Sequence, residues 1–125
     1  GHDIGDKVLK ELSRILNETL RESDVIIRYG GEEFIVLLVN IKTEEDALNV
    51  ANKIREKVKE NEIDVYAGSK LRKTISIGLS MFPDDSNNFD SVIKNADIAL
   101  YEAKSKGRDQ VVRFTSESSS LVDIF

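Results

Sequence analysis

Apolar residues recur along the chain at two spacings, and the alternation between them outlines the elements. From Asp6 onward Val8, Leu9, Leu12, Ile15, Leu16 and Leu20 return at helical intervals, with Asp6 placed as an N-cap. This predicts a helix of about four turns. "DVIIRYG" and "FIVLLVN" are β-branched and aliphatic runs on either side of Gly30-Gly31. They predict a hairpin with the glycine pair at its tip, too apolar on both faces to form an exposed edge.

Helical spacing then resumes. In "KTEEDALNVANKIREKVKE" Thr43 stands as N-cap with Asp46 in the capping-box position, and Ala47, Leu48, Ala51, Ile54 and Val58 form one stripe. "IDVYAG" and "LRKTISIGLSMF" flank a "GSK" turn and predict a second hairpin that ends at Pro83, before a loop "PDDSNN". Phe89, Val92, Ile93, Ala96, Ala99, Leu100 and Ala103 mark a third helix, stopped at Gly107 with Lys104 and Lys106 in its last turn. A final strand "QVVRF" precedes a polar tail with a small apolar end, "VDIF". The order predicts an α+β domain: a mostly antiparallel central sheet flanked by helices, over residues 1–114, followed by a tail at 115–125.

Composition narrows the function classes. With 125 residues the chain is one domain at most, and 40% hydrophobic with 33% charged residues describes a folded soluble protein. A net charge of −5 argues against a grip on nucleic acid. The absence of cysteine removes disulfides and thiolate metal sites. No apolar run approaches the roughly 20 residues of a membrane span, and the first residues do not resemble a signal peptide. The expectation is a cytoplasmic location and no membrane contact by this segment.

The chemistry concentrates at "RYGGEEF", Arg28 to Phe34, where two glycines and two carboxylates share one bend. A hairpin requires the glycines but not the acids. Gly31 lets a ligand approach the backbone, and a carboxylate at such a turn can hold Mg²⁺ together with phosphate oxygens. Adjacent strand residues point to opposite faces, so Glu32 and Glu33 cannot both address one site unless the turn breaks the alternation. Solvated acids at the tip of a tight hairpin are the plain alternative.

The heptapeptide resembles the signature of the GGDEF family, the diguanylate cyclases, in its "GGEEF" variant. "GHDIGD" (Gly1 to Asp6), "RESDVIIRYGGEEF" (Arg21 to Phe34), "TISIGLSMFP" (Thr74 to Pro83) and "ADIALYEAKSKGRD" (Ala96 to Asp109) resemble family blocks in family order. The resemblance implies a nucleotidyl-cyclase, palm-like fold with a ferredoxin-like core. It also implies condensation of two GTP molecules into cyclic di-GMP by a homodimer, with Mg²⁺ or Mn²⁺.

Carried over residue by residue, Glu32 resembles the metal-binding carboxylate that helps activate the ribose 3′-hydroxyl, and Glu33 a second acid near the metals. Gly30 and Gly31 match the glycines that lie against the triphosphate. Asp6 resembles the guanine-reading carboxylate, a role its position as N-cap does not preclude. Lys104 and Arg108 resemble the cations that hold the terminal phosphates, although cations at a helix end also follow from the dipole. Arg21 and Asp24, in "RESD", resemble the inhibitory product site, where a guanidinium suits the O6 and N7 edge of guanine and a carboxylate the donor edge. Asn52 stands where some members carry a supporting arginine, and "GRD" replaces the more usual "GRN".

The family's upstream segment, of the type "DxDxFKxxND", would supply a first helix, a first strand and the other metal carboxylate, and nothing in this chain matches it. The expectation is therefore a partial GGDEF domain, poorly active alone and governed by an upstream sensory domain. An exposed strand edge would be covered by a second copy through domain swapping or edge pairing. The contrasting reading is a non-catalytic receptor that binds cyclic di-GMP through Arg21 and Asp24.

Overall fold

The structure, a computed structural model, describes residues 2–30 and 33–115, so the tail at 116–125 lies outside the described residues. The chain divides into two compact units, residues 1–73 and 74–125.

In the first unit, α1 (His2–Thr19) is followed by the hairpin β1 (Val25–Gly30) and β2 (Glu33–Leu37), then by α2 (Glu44–Glu60). Helix α1 starts four residues before the predicted cap, which places Asp6 inside the helix. The apolar stripe begins only at Val8, so the pattern had no marker for the polar first turn. Thr43 caps α2 as expected, its hydroxyl accepting the Asp46 amide at 3.0 Å. Ala47, Ala51, Ile54 and Val58 are buried along one face of α2, and Ile15 and Leu16 of α1 are buried as well. Helices α1 and α2 pack on each other. Arg14 strengthens this contact by reaching Asn61 just past the end of α2, while also bridging Glu11 and Glu18 on its own helix.

The predicted second hairpin is much shorter than its sequence run. Only β3 (Ile63–Asp64) and β4 (Lys70–Leu71) pair, around a 3₁₀ turn at Tyr66–Gly68. Ala67 and Gly68 both adopt positive φ there. The rest of "LRKTISIGLSMF" breaks away, and its apolar centre becomes β5 (Ile77–Leu79).

The second unit is built on a parallel pair. β5 runs parallel to β6 (Val111–Arg113), with Ile77 opposite Val111 and Leu79 opposite Arg113. A parallel pair requires a crossover, and α3 (Phe89–Ser105) supplies it. Ala99 and Ala103 of α3 are fully buried, and a Cβ added at Gly78 would collide with the carbonyl oxygen of Ala96 and the backbone of Leu100. Small residues on both sides therefore allow the helix to lie directly on the strand. The loop before α3 is fixed by Asp85, which accepts the Met81 amide and forms a two-pronged pair with Arg113.

The α+β class is as the sequence predicts. Among the described residues the strands form three two-stranded ladders, two antiparallel and one parallel.

Candidate functional site

The signature lies at the end of the β1–β2 ladder. Pairing runs from Val25 opposite Leu37 through Ile26–Val36, Ile27–Ile35 and Arg28–Phe34 to Gly30 opposite Glu33. Between the last two pairs β1 advances two residues and β2 only one, so Tyr29 is the extra residue of a β-bulge. The bulge shifts the facing of β1 just before the signature. Gly30 is thus the last residue of β1 and not part of the tip, a correction to the predicted glycine-pair turn. Gly31 and Glu32 lie outside the described residues, and Glu33 is described in its backbone alone.

One face of this hairpin is lightly covered. Val25, Ile27 and Leu37 alternate onto the same face and remain 43%, 43% and 40% exposed. The expectation of a hairpin buried on both faces is corrected accordingly. The sequence could report that these residues are apolar, but not how much surface covers them.

At the opposite end of the ladder sits "RESD". Residues 21–24 form a turn closed by the Asp24 amide donating to the Arg21 carbonyl at 3.0 Å. The Asp24 carboxylate closes it a second time, Oδ2 accepting the Arg21 amide at 2.9 Å while Oδ1 accepts the Val39 amide at 3.0 Å. Each Asp24 oxygen thus carries one backbone donor and keeps a second lone-pair site. The Arg21 side chain is exposed and has no hydrogen-bond acceptor among the described residues. Asn17, Leu20, Arg21, Glu22, Asp24 and Ile26 line an open pocket of about 390 Å³. Asn52, at the position of the supporting arginine, accepts from Arg55 Nε at 3.3 Å on its own helix.

Asp6 is exposed within the second turn of α1, free to face a ligand but no longer an N-cap. The N-cap assignment failed because the helix has a full turn before it.

In the second unit, α3 ends in a Schellman motif. The Arg108 amide donates to Ala103 O at 3.0 Å and the Gly107 amide to Lys104 O at 3.4 Å, with Gly107 at φ 118°. Arg108 and Asp109 follow at φ 65° and 49°, a left-handed conformation that is uncommon for residues with a Cβ. The Ser76 hydroxyl accepts the Asp109 amide at 3.1 Å and fixes the bend to the start of β5. Of the three cations here, Lys106 pairs with Glu102 at 2.9 Å, whereas Lys104 and Arg108 are exposed without an acid partner among the described residues. These are the two that the sequence singled out. Ser76 is not legible in the sequence, since a lone serine in a β-rich run carries no positional signal. Asn88, in the predicted loop, is the N-cap of α3, legible as an Asn directly before the first apolar position.

Among the described residues no group of three His, Asp or Glu side chains could hold a metal. The described residues alone therefore do not compose a metal centre. Among them, too, no helix is long and apolar enough to cross a membrane.

Comparison with known proteins supplies the context. The family described as diguanylate cyclase, GGDEF domain, matches residues 1–110. Diguanylate cyclase A of Treponema denticola is 45% identical over 111 residues, which cover 89% of this chain and 29% of that protein. Response regulator PleD of Caulobacter vibrioides is 41% identical over 90% of this chain and 25% of its own. The chain thus spans about a quarter of the length of these curated relatives. Among solved structures, a TpbB (YfiN) form from Pseudomonas aeruginosa comprising only the GGDEF domain superposes with a TM-score of 0.89 at 30% identity, over 95% of this chain and 69% of that one. The GGDEF domain of DgcB from Caulobacter crescentus, solved in complex with c-di-GMP, gives 0.76 at 26% identity, over 90% and 66%.

Proposed function

The chain belongs to the diguanylate cyclase GGDEF domain family, and from that premise we propose that it condenses two GTP molecules into cyclic di-GMP with release of two pyrophosphates. The observation that carries the reading is the intact "GGEEF", set where the β1–β2 ladder ends at Gly30 and Glu33 behind a bulge. In this reading Gly30 and Gly31 admit the triphosphate to the backbone, Asp6 accepts from the N1 and N2 edge of guanine, and Lys104 and Arg108 hold the terminal phosphates.

Glu32, with Glu33 beside it, is the proposed ligand of Mg²⁺ or Mn²⁺. That assignment rests on the signature alone. A bound divalent ion would stabilise charge on the phosphate under attack by a 3′-hydroxyl. The reaction joins two nucleotides, so the working form is proposed to be a homodimer with one GTP in each subunit. Product would bind at Arg21 and Asp24 and restrain turnover from a second site. A cytoplasmic location agrees with GTP as substrate.

The test is to incubate the intact protein with GTP and Mg²⁺ and separate the nucleotides chromatographically. Wild type alone is expected to yield cyclic di-GMP and pyrophosphate only slowly, and Glu32→Gln neither. Product formation at the wild-type rate by Glu32→Gln would refute the assignment of that carboxylate. A second reading, a cyclic di-GMP receptor without turnover, is favoured by the exposed Arg21 beside its pocket and by the relative solved with that dinucleotide. Binding of cyclic di-GMP without any turnover of GTP would select it.

A further inference from the structure

The cations Lys104 and Arg108 are held by different means. Lys104 lies in the last turn of α3, where helical geometry sets its backbone. Arg108 lies past the helix end, the first of two successive left-handed residues, with φ 65° at Arg108 and 49° at Asp109. Residues with a Cβ enter that region at an energetic cost and stay there when their surroundings hold them. Hydrogen bonds on both sides of the bend do so. The Arg108 amide donates to Ala103 O at 3.0 Å, and the Arg108 carbonyl accepts from Gln110 Nε2 at 3.1 Å. The Asp109 amide donates to the Ser76 hydroxyl at 3.1 Å, and the Ile77 amide donates to Gln110 O at 3.0 Å.

The bonds to Ala103 and from Ile77 join backbone groups and follow from the stop of α3 and the β5–β6 ladder. The Gln110 bond is local and lies at the surface. Ser76 contributes differently, because its half-buried side chain ties the bend to the residue before β5, 33 positions away in the chain.

We propose that Ser76 is a positioning residue for a phosphate-binding arginine: its hydroxyl holds Asp109 in the left-handed conformation and so fixes the direction in which Arg108 leaves the backbone. The ligand part rests on the reading of Arg108 as a phosphate cation given above, but the hydroxyl pin does not. A guanidinium meets phosphate through paired N–H donors in a rigid fork, so a rotation of its backbone misaligns both donors at once. Lys104 is a point charge on a flexible stem and tolerates such a rotation. The ligand chemistry that depends on Ser76 is therefore the polyphosphate of a nucleotide and not its base.

The test is calorimetric titration of the intact protein with a non-hydrolysable GTP analogue and, separately, with GMP, both with Mg²⁺. The variants are Ser76→Ala, Ser76→Cys, Arg108→Ala and the double variant Ser76→Ala/Arg108→Ala. Ser76→Ala is expected to weaken binding of the analogue by about five- to tenfold and to leave GMP binding unchanged. Ser76→Cys substitutes a weakly accepting thiol, so it should fall between wild type and Ser76→Ala, and it remains informative if the alanine variant does not fold. Without Arg108 the hydroxyl has no side chain to aim, so the double variant should match Arg108→Ala. Amide exchange followed by NMR should show Asp109 exchanging about fivefold faster in Ser76→Ala.

Wild-type affinity for the analogue in Ser76→Ala, or an equal loss for GMP, would overturn the positioning role. A double variant that loses the product of the two single fold-changes would overturn it too. Wild-type exchange at Asp109 in Ser76→Ala would overturn the pin. If Arg108→Ala binds the analogue as tightly as wild type, the phosphate reading of Arg108 fails, while the Asp109 exchange still decides the pin.

Discussion

The β5–α3–β6 unit and the β1–β2 hairpin are built from similar apolar residues, yet they are covered to very different degrees. In the first, Ala99 and Ala103 are fully buried, Leu79 and Phe114 nearly so, and Gly78 leaves room for the backbone of α3 and nothing more. In the second, Val25, Ile27 and Leu37 remain close to half exposed. The unit that carries the cations Lys104 and Arg108 is thus tightly framed. The hairpin that carries the signature is held mainly by its own ladder and by Asp24. Isolated two-stranded ladders are marginal in water, so the hairpin should be the more compliant of the two.

Substitutions can break or sharpen this contrast. The largest effect is expected from Gly78→Ala, because the new methyl meets backbone rather than a movable side chain. The cost should be about 3 kcal/mol or more, read from the urea unfolding midpoint. Next comes Asp85→Ala, which leaves Arg113 without its half-buried partner and frees the Met81 amide. A loss of about 3 kcal/mol is expected by the same assay.

Gly5→Ala is the control for Gly78, since nothing lies within 4 Å of the added methyl. There it should stabilise α1 by about 0.5–1 kcal/mol. Ile27→Val keeps the β-branch and removes a methyl from a half-exposed site, so its cost should stay below about 1 kcal/mol. A loss at Ile27 as large as that at Gly78 would erase the contrast.

The smallest effect belongs to pH and the β3–β4 turn. The hydrogen bond from Arg72 holds the Glu62 carboxyl below its ordinary value, and that from Lys70 does the same for Asp64. Both folded values are depressed, so their support is complete above the ordinary carboxylate range and is lost as pH falls through the lower folded values. These groups are exposed and screened, so the effect should register in carboxyl NMR titrations rather than in the unfolding midpoint. Lys70→Met should raise the Asp64 titration midpoint and, by a smaller amount, that of Glu62. An unmoved Asp64 would show that the ion pair does not persist in solution.

Long periodic segments were legible in the sequence and local geometry was not. The α2 stripe and its Thr43 cap, and the stop of α3 at Gly107, follow from spacing and caps that act within one or two turns. The run 71–82 looked like one strand because its residues are β-prone throughout. Its division between two ladders depends on β6, more than thirty residues away, a non-local choice that local propensity cannot encode. The start of α1 was placed late because its first turn is polar. For the site, residue types and order were readable, but three features were not: the bulge at Tyr29, the left-handed Arg108 and Asp109, and the engagement of Asp24 by two amides. Each depends on local backbone geometry that residue identity does not dictate.

A compliant, signature-bearing hairpin lies in one unit and a stiff frame in the other, and under the proposed function GTP is the ligand that orders the hairpin. Amide exchange of the intact protein, with and without a non-hydrolysable GTP analogue and Mg²⁺, tests this directly. The prediction is that the amides of Ile26, Ile35 and Val36 exchange faster than those of Ala99 and Ala103 in the free protein and gain protection at saturating analogue, while the α3 amides change little. Hairpin amides as protected as those of α3 before nucleotide is added, or unmoved by saturating nucleotide, would contradict it.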